Sequence, residues 1–392
     1  MSSQETTRAS ARPWVEWFAK RIDDPVARLK FLRSVTPLTV SRGHRRPFWQ
    51  LAIGAIVLLA VLGSFLIVRA AARVKPLAAG PRPKAVQVLP TPPLSAVWQV
   101  DVSADSETYS NGLRIDRRFE TATHPRAYLA FPAGRPDDRG AGVRRTQPAG
   151  IVFHTTESRQ IPFEASSNGA LKHIGESVIG FVQRKHAYNF LIDRFGRVYR
   201  IVRESDAAEH AGYSVWSDDA WLYVNLNESF LGISFETKTE PGQEDPTVSP
   251  AQIHSAAMLT EMLRGRYGIS AGNCVTHAQV SVNPENMRVG FHTDWASSFP
   301  FAQLGLPDNY GRPLPALTEF GFEFDATFRR WAGTRLYAGV ELAKEKLDRD
   351  AAAAGVTPAE LRKMLRRRYL ARLGEAMGLN GGGEASEGAG TR

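Results

Sequence analysis

The sequence has a single cysteine, Cys274, among 392 residues. One thiol excludes any disulfide within the chain, so the fold must rest on its hydrophobic core whichever compartment it occupies. Short metal-ligand motifs such as HExxH are also absent. A metal site in this chain would therefore be assembled from residues that are distant in the sequence.

Charge is missing from one long stretch, the 21 residues of Phe48–Val68. At a helical rise of about 1.5 Å per residue, this run reaches about 30 Å, the thickness of the hydrocarbon core of a bilayer. Ten Lys and Arg residues and four Asp and Glu residues precede it, which places the N-terminus in the cytoplasm by the positive-inside rule. An N-terminal region of 47 residues favours a retained anchor over a cleaved signal peptide. The sequence therefore predicts a single-pass membrane protein with its main part on the extracytoplasmic side.

Positive charge is in excess, with a net charge of +9. This balance favours a polyanionic partner, whether nucleic acid, anionic lipid or an acidic cell-wall polymer. The basic residues are spread between the segments that flank the apolar run and a C-terminal helix, and they form no recognised nucleic-acid-binding motif. We therefore predict no nucleic-acid partner, and the oligomeric state is left open.

Composition and patterning divide the chain into seven segments. These are a basic cytoplasmic segment (1–47), a transmembrane helix (48–68), a Pro/Ala-rich linker (69–96), a β-rich extension (97–148), an α/β domain (149–315), a helical region (316–377) and a disordered tail (378–392). Within the extension, Asn111-Gly112 in "YSNGLRI" predicts the turn of a β-hairpin.

Strand and helix patterns alternate through the α/β domain. The segment "GIVFH" predicts a buried strand, "AYNFLID" and "RVYRIV" predict a hairpin around Gly196, and "LGISFE" predicts a further strand. Apolar residues recur at helical spacing from Leu171 to Val182. The segment Ser249-Pro250-Ala251-Gln252 has the form of a capping box and opens a helix to about Tyr267. The alternation predicts an α/β fold.

Two histidines stand at the ends of predicted strands, His154 in "IVFHTTES" and His277 in "CVTHAQV". A third segment, "VGFHTDWA", carries His292 and Asp294 two residues apart, so both side chains face one way if it is extended. Two imidazoles and one carboxylate leave a fourth position open for water, which is the ligand set of a hydrolytic zinc site. Cys274 is not a candidate ligand because on a strand it faces away from His277.

At these residues the sequence resembles the zinc-dependent N-acetylmuramoyl-L-alanine amidases that share a fold with peptidoglycan recognition proteins. The matching segments follow the family's order between about Ala149 and Pro307: "IVFHTTES", "AYNFLIDRFGRVYRIV", "EHAGYS", "LGISFET", "VTHAQV" and "HTDW". The resemblance implies a mixed central β-sheet flanked by helices, here preceded by the transmembrane helix and followed by C-terminal helices. It also implies a peptidoglycan or muropeptide substrate on the periplasmic side of a bacterium.

The resemblance further implies that Zn²⁺ is held by His154, His277 and Asp294. The loop between His277 and Asp294 is longer than in compact members of the family. His292 is therefore an alternative third ligand.

The resemblance also assigns three catalytic and two substrate-binding residues. Glu236 is the expected general base, and Tyr188 is expected to donate to the developing oxyanion. His292 stands where many members have a lysine that stabilises the transition state. His210 and Asn189 are the expected substrate-binding residues.

The predicted function is hydrolysis of the amide bond between N-acetylmuramic acid and L-alanine in peptidoglycan. One alternative is a membrane-anchored protein of the same fold that binds peptidoglycan or muropeptide without catalysis. Another keeps the amidase activity but places the domain in the cytoplasm, with free anhydro-muropeptides as substrate.

Overall fold

The computed structural model describes residues 96–134, 138, 140–240 and 242–381. They lie within one compact unit, Ala85–Arg392. Within these ranges no helix is both long and apolar enough to cross a bilayer. The predicted transmembrane helix 48–68, the basic segment 1–47 and most of the linker 69–96 and the tail 378–392 lie outside the described residues. Those assignments stay predictions.

Fourteen strands are formed by the described residues. They are β1 Gln99–Val102, β2 Ser106–Tyr109, β3 Arg114–Asp116, β4 Tyr128–Pro132, β5 Val143–Arg145, β6 Gly150–Thr155, β7 Phe190–Ile192, β8 Val198–Arg200, β9 Val215–Ser217, β10 Trp221–Val224, β11 Phe230–Phe235, β12 Cys274–Thr276, β13 Val282–Asn283 and β14 Arg288–Val289. Eight of them form the main sheet in the order β1-β2-β3-β8-β7-β11-β6-β12. A smaller sheet has the order β5-β4-β10-β9, and β13 pairs with β14.

The main sheet is mixed, as predicted. Strands β7, β11, β6 and β12 are parallel to one another, whereas β7 and β8 form the predicted antiparallel hairpin. Every residue of β6 and β11 is buried. Parallel strands are covered on both faces, which explains why these two appear in the sequence as continuous apolar runs.

Seven α-helices accompany the strands in the described part of the chain. They are α1 Asn168–Lys185, α2 Leu226–Ser229, α3 Pro250–Tyr267, α4 His277–Val280, α5 Pro315–Thr318, α6 Phe328–Ala353 and α7 Pro358–Gly381. The predicted capping box of α3 is present in both halves, since Ser249 Oγ accepts from Gln252 N and Gln252 Oε1 accepts from Ser249 N, each at 3.1 Å.

Helices α1 and α3 cover opposite faces of the main sheet. Successive residues of β7 point to opposite sides, and Leu191 packs with Ile179 of α1, whereas Phe190 belongs to the cluster that contains Leu259 of α3. The predicted apolar face of α1 is the buried one, including Leu171 and Val182. The central sheet flanked by helices is therefore confirmed.

The extension before β6 continues the main sheet. Strands β2 and β3 form the predicted hairpin, with Gly112 at φ 88°, and β3 pairs in parallel with β8. Asn111 Nδ2 also donates to the carbonyl of Met258 in α3, at 3.0 Å. The hairpin turn is thereby tied to a helix of the α/β domain.

The basic C-terminal helix α7 is attached to the body of the domain through several of its arginines. Arg362 and Arg366 lie 3.4 Å and 3.0 Å from the carboxylate of Glu323. The guanidinium of Arg372, 3% exposed, lies 4.8 Å from the ring centroid of Phe131. These contacts use part of the positive charge of α7 within the fold.

Candidate metal centre

Two neighbouring strands bring His154 and His277 together. Strands β6 and β12 are parallel, with Phe153 opposite Thr276, so the residues that follow these two, His154 and His277, also lie side by side. His277 is the first residue of α4, which Thr276 caps in a capping box. Asp294 arrives on a loop, and its carbonyl accepts from the Ala278 N–H at 3.2 Å.

The side chains of these residues form a buried cluster. Asp294 Oδ2 lies 3.1 Å from His154 Nδ1, and Asp294 Oδ1 lies 2.9 Å from His277 Nδ1. One ligand atom from each of the three residues lies within 4.8 Å of the others, and all three residues are buried. Ligand atoms about 2.1 Å from a tetrahedral zinc are about 3.4 Å apart. The observed spacing therefore fits one metal ion of that size.

Electrostatics holds His154 and Asp294 in their metal-binding protonation states. Burial, together with His277, lowers the pKa of His154 to about 4, so this imidazole is neutral. Burial would raise the pKa of Asp294, but the two histidines outweigh it and hold the pKa far below its usual value. A neutral imidazole and an ionised carboxylate are the forms that bind metals.

His292 lies at the edge of this cluster. Its ring stacks on His277 with centroids 4.5 Å apart and an interplanar angle of 21°. Its backbone N–H donates to Ser281 Oγ at 2.8 Å, which fixes the loop just before Asp294. His292 and Asp294 thus contact the same histidine, as their spacing predicted, but the group of converging ligand atoms contains Asp294 and not His292.

Tyr188 stands against the cluster in a strained backbone conformation. Its φ is 65°, which is uncommon for a bulky residue, and its ring centroid lies 5.0 Å from that of His154. Burial, followed by the charge of Asp294, raises the pKa of Tyr188 well above its usual value. The hydroxyl therefore keeps its proton and can donate a hydrogen bond.

A cavity of about 410 Å³ adjoins Tyr188. Helix α1 forms one wall with Ile174, Val178 and Phe181, and the loop after β6 contributes Arg159. The cavity opens to solvent and is mostly apolar, which is typical of a ligand groove.

Glu236 follows β11 on the same face as Ser234, as the strand alternation predicted. Its side chain is 2% exposed. Its contacts are with Arg194 rather than with the cluster: Oε2 accepts from the Arg194 N–H at 3.2 Å, and Oε1 lies 3.3 Å from Arg194 Nε. Burial raises the pKa of Glu236.

Arg194 and Ser234 are two residues that sequence reasoning did not single out. Arg194 Nη2 and Nη1 donate to the carbonyls of Arg159 and Ile161, so this buried guanidinium ties Glu236 to the loop at the groove. Ser234 pairs with His154 across β11 and β6 and is fully buried. The alternation of β11 marks the position of Ser234, but a serine in a strand carries no chemical signal by itself.

The two residues expected to bind substrate make internal contacts. Asn189 is fully buried, its Nδ2 donates to the carbonyl of Arg203 at 3.0 Å, and its Oδ1 accepts from the Gly232 N–H at 3.0 Å. Its side chain is therefore not open to a substrate in this structure. His210 lies with Nδ1 3.1 Å from Nε2 of His154, so it contacts the metal cluster directly.

Residues 144–294 match the family described as N-acetylmuramoyl-L-alanine amidase, and the match includes His154, Glu236, His277 and Asp294. No curated protein matches the chain.

Several solved structures are similar. One is the amidase AmiD from E. coli in complex with anhydro-N-acetylmuramic acid-L-Ala-D-gamma-Glu-L-Lys, at 20% identity over 53% of this chain and 87% of that one, with a TM-score of 0.33. Another is AmpDh3 from Pseudomonas aeruginosa in complex with anhydromuramic pentapeptide, at 22% identity over 43% and 64%, with a TM-score of 0.30. A third is the amidase LysC from Clostridium intestinale, at 23% identity over 40% and 83%, with a TM-score of 0.25.

Proposed function

Because residues 144–294 match the N-acetylmuramoyl-L-alanine amidase family, as the sequence motifs predicted, we propose that the chain is a zinc-dependent hydrolase. Its substrate is peptidoglycan, and the bond that it hydrolyses is the amide between N-acetylmuramic acid and L-alanine. The observation that carries the proposal is the convergence of His154, His277 and Asp294 inside the matched segment, with one ligand atom from each within 4.8 Å.

Zinc would be held by Nδ1 of His154, Nδ1 of His277 and the carboxylate of Asp294. When bound at such a site, zinc supplies a Lewis acid and a water whose pKa is lowered to about 7. Two neutral imidazoles and one carboxylate leave the ion a net positive charge, which favours an anionic intermediate.

Two side chains at the rim of the cluster would act on the carbonyl oxygen of the substrate. The protonated hydroxyl of Tyr188, beside His154, donates to that oxygen as it becomes anionic. His292, stacked on His277, provides a ring N–H at the position that the resemblance assigns to a lysine.

Glu236 is our proposed proton acceptor. Its pKa is raised by burial, and a higher pKa makes a carboxylate a better base near neutral pH. The alternative is a structural role, in which Glu236 is buried only to contact Arg194. A variant that keeps the shape and removes the charge, E236Q, separates the two roles.

The cavity beside Tyr188 is our proposed groove for the stem peptide. Its apolar wall from α1 suits the peptide's aliphatic portions, and Arg159 at its rim suits the carboxylates.

We further propose that the domain works on the periplasmic side, because the predicted anchor 48–68 and the basic segment before it place the remaining chain there. A reporter fused to the C-terminus tests this location. If a reporter that is active only in the cytoplasm is active in this fusion, the result would support the anhydro-muropeptide alternative.

The function is tested by zinc quantitation and digestion of purified sacculi with the full chain. The unaltered protein is expected to contain one zinc per chain and to release stem peptides, and H154A is expected to do neither. A zinc-free unaltered protein that binds muropeptide and releases no peptide would replace this proposal with the non-catalytic alternative.

A further inference from the structure

His210 is part of a chain of contacts that runs from the backbone of β11 to the metal cluster. His210 Nε2 lies 3.2 Å from the carbonyl oxygen of Phe230, and His210 Nδ1 lies 3.1 Å from Nε2 of His154. The other nitrogen of His154, Nδ1, faces Asp294 at 3.1 Å. His210 therefore uses one nitrogen toward the backbone and one toward His154, and His154 uses one toward His210 and one toward Asp294.

The His210 ring is held rigidly in this place. The backbone N–H groups of His210, Ala211 and Gly212 all donate to Asn227 Oδ1, at 2.9, 2.7 and 2.8 Å. Gly232 provides the room for the ring, because a Cβ at that position would lie 2.7 Å from His210 Cγ. The orientation of the ring is thus set by a fixed loop on one side and by β11 on the other.

The contacts of His210 favour one arrangement of the hydrogens on the two imidazoles. A backbone carbonyl oxygen can only accept, so His210 Nε2 carries the hydrogen. Neutral His210 then has a bare Nδ1, which can only accept from His154 Nε2–H. Neutral His154 with its hydrogen on Nε2 presents the lone pair of Nδ1, which is the form that binds a metal, whereas without a metal the ionised Asp294 Oδ2 at 3.1 Å favours the hydrogen on Nδ1.

We infer that His210 is a positioning residue for the metal centre, relaying the fixed polarity of the Phe230 carbonyl to His154 so that His154 Nδ1 is available to a metal. This inference rests on the proposed metal-dependent function. It gives His210 a different role from the substrate contact expected from the sequence. Partners of this kind fix the tautomer of a metal-binding histidine and typically contribute about 10- to 100-fold in metal affinity.

The second imidazole of the cluster has no such relay. His277 Nε2 is buried and lacks a hydrogen-bond partner among the described residues. Changes in the surrounding contacts should therefore affect which nitrogen of His154 carries the hydrogen, and they should not affect His277 in the same way.

The test is the zinc affinity of the full chain, measured by competition with a chromophoric chelator. H210F keeps the size of the ring and removes both contacts, and we expect it to weaken zinc binding about 10- to 100-fold. H210N places an amide oxygen near the position of Nδ1, restores an acceptor for His154 Nε2–H, and is expected to recover most of that loss. G232A should weaken binding as well, because it displaces the His210 ring while leaving every histidine in place.

Denaturant unfolding of the metal-free proteins separates a positioning role from a structural one. The relay predicts that H210F and H210N are equally stable without metal and differ with it. Equal zinc affinity in H210F and the unaltered chain would overturn the relay and leave the proposed function intact. An unaltered chain that binds no zinc would overturn both, whereas one that binds zinc tightly without hydrolysing sacculi would overturn the proposed function alone.

Discussion

Two buried polar clusters lie in the same main sheet, and they are satisfied in different ways. At one end, Arg200 of β8 contacts Glu107 of the extension through two nitrogens, at 2.8 and 2.9 Å, and Glu204 at 2.9 Å. At the other end, Asp294 faces His154 and His277. In the first cluster full charges of opposite sign meet, whereas in the second an ionised carboxylate meets imidazoles.

The difference identifies which cluster is a site. Burying an ionised group is costly unless it is paired. Arg200 supplies a permanent positive charge to the carboxylates around it, so that cluster is complete within the chain and its role is structural. The carboxylate of Asp294 contacts two imidazoles, and an imidazole is not a permanent cation. A bound metal ion would supply the missing charge.

The largest effect is expected from breaking the cluster of His154, His277 and Asp294 by removing its carboxylate. In D294A one of three ligands is lost, so we expect no stoichiometric zinc and no detectable release of stem peptide from sacculi. Because the contacts with His154 and His277 hold the pKa of Asp294 below its usual value, D294A should also lower the unfolding free energy of the metal-free protein near neutral pH.

H292A is the matched control for this prediction, since His292 contacts His277 but lies outside the group of converging ligand atoms. It should keep its zinc and lose part of its activity. Zinc retained in D294A and lost in H292A would show that the two residues have exchanged roles.

The next effect concerns the carboxylate of Glu236. It contacts an arginine, as the carboxylates around Arg200 do, but we propose that it also takes part in catalysis. If it accepts a proton during hydrolysis, E236Q should lower the rate of stem-peptide release by about 10²- to 10⁴-fold. Zinc content and stability should be nearly unchanged, because a glutamine amide can still accept from the Arg194 N–H. Nearly full activity combined with reduced stability would assign Glu236 a structural role with Arg194.

Local chemistry accounts for the parts of the fold that the sequence predicted. The burial of β6, the helical face of α1, the hairpin at Gly196 and the capping box of α3 all depend on residues close together in the chain. The pairing of β3 with β8 joins Ile115 to Val198. Nothing in either local segment specifies that pairing.

The same distinction applies to the site. His154, His277 and Asp294 are of residue types that commonly bind metals, and the sequence predicted the strand ends that carry two of them. Asn189 and His210 are polar residues whose partners are backbone carbonyls, those of Arg203 and Phe230. Those acceptors exist in every residue, so only the fold reveals which ones are used.

A stability effect is expected from the cluster of Arg200. R200M leaves Glu107 and Glu204 buried with only longer contacts to a cation, from Arg117 at 3.5 Å and Arg266 at 3.6 Å, so it should lower the free energy of unfolding by about 3 kcal/mol. Zinc content should be unchanged. R118M is the control, because Arg118 pairs with Asp116 at the surface with 58% of its side chain exposed, and exposed pairs of this kind contribute little to stability. Loss of zinc in R200M at full stability would contradict the separation of the two clusters.

The smallest effect is the response of the same cluster to acid. Burial alone would raise the pKa of Glu107, but hydrogen bonds from Arg200 and Tyr109 outweigh it and lower the pKa from 4.5 to about 2. A carboxylate whose pKa is lower in the folded state contributes stability above its unfolded pKa and loses it as the pH falls toward the folded value. The free energy of unfolding of the metal-free protein should therefore decline between about pH 4.5 and pH 2. E107Q cannot titrate, so its decline over that window should be shallower, and parallel curves for the two proteins would show that Glu107 is not held ionised by Arg200.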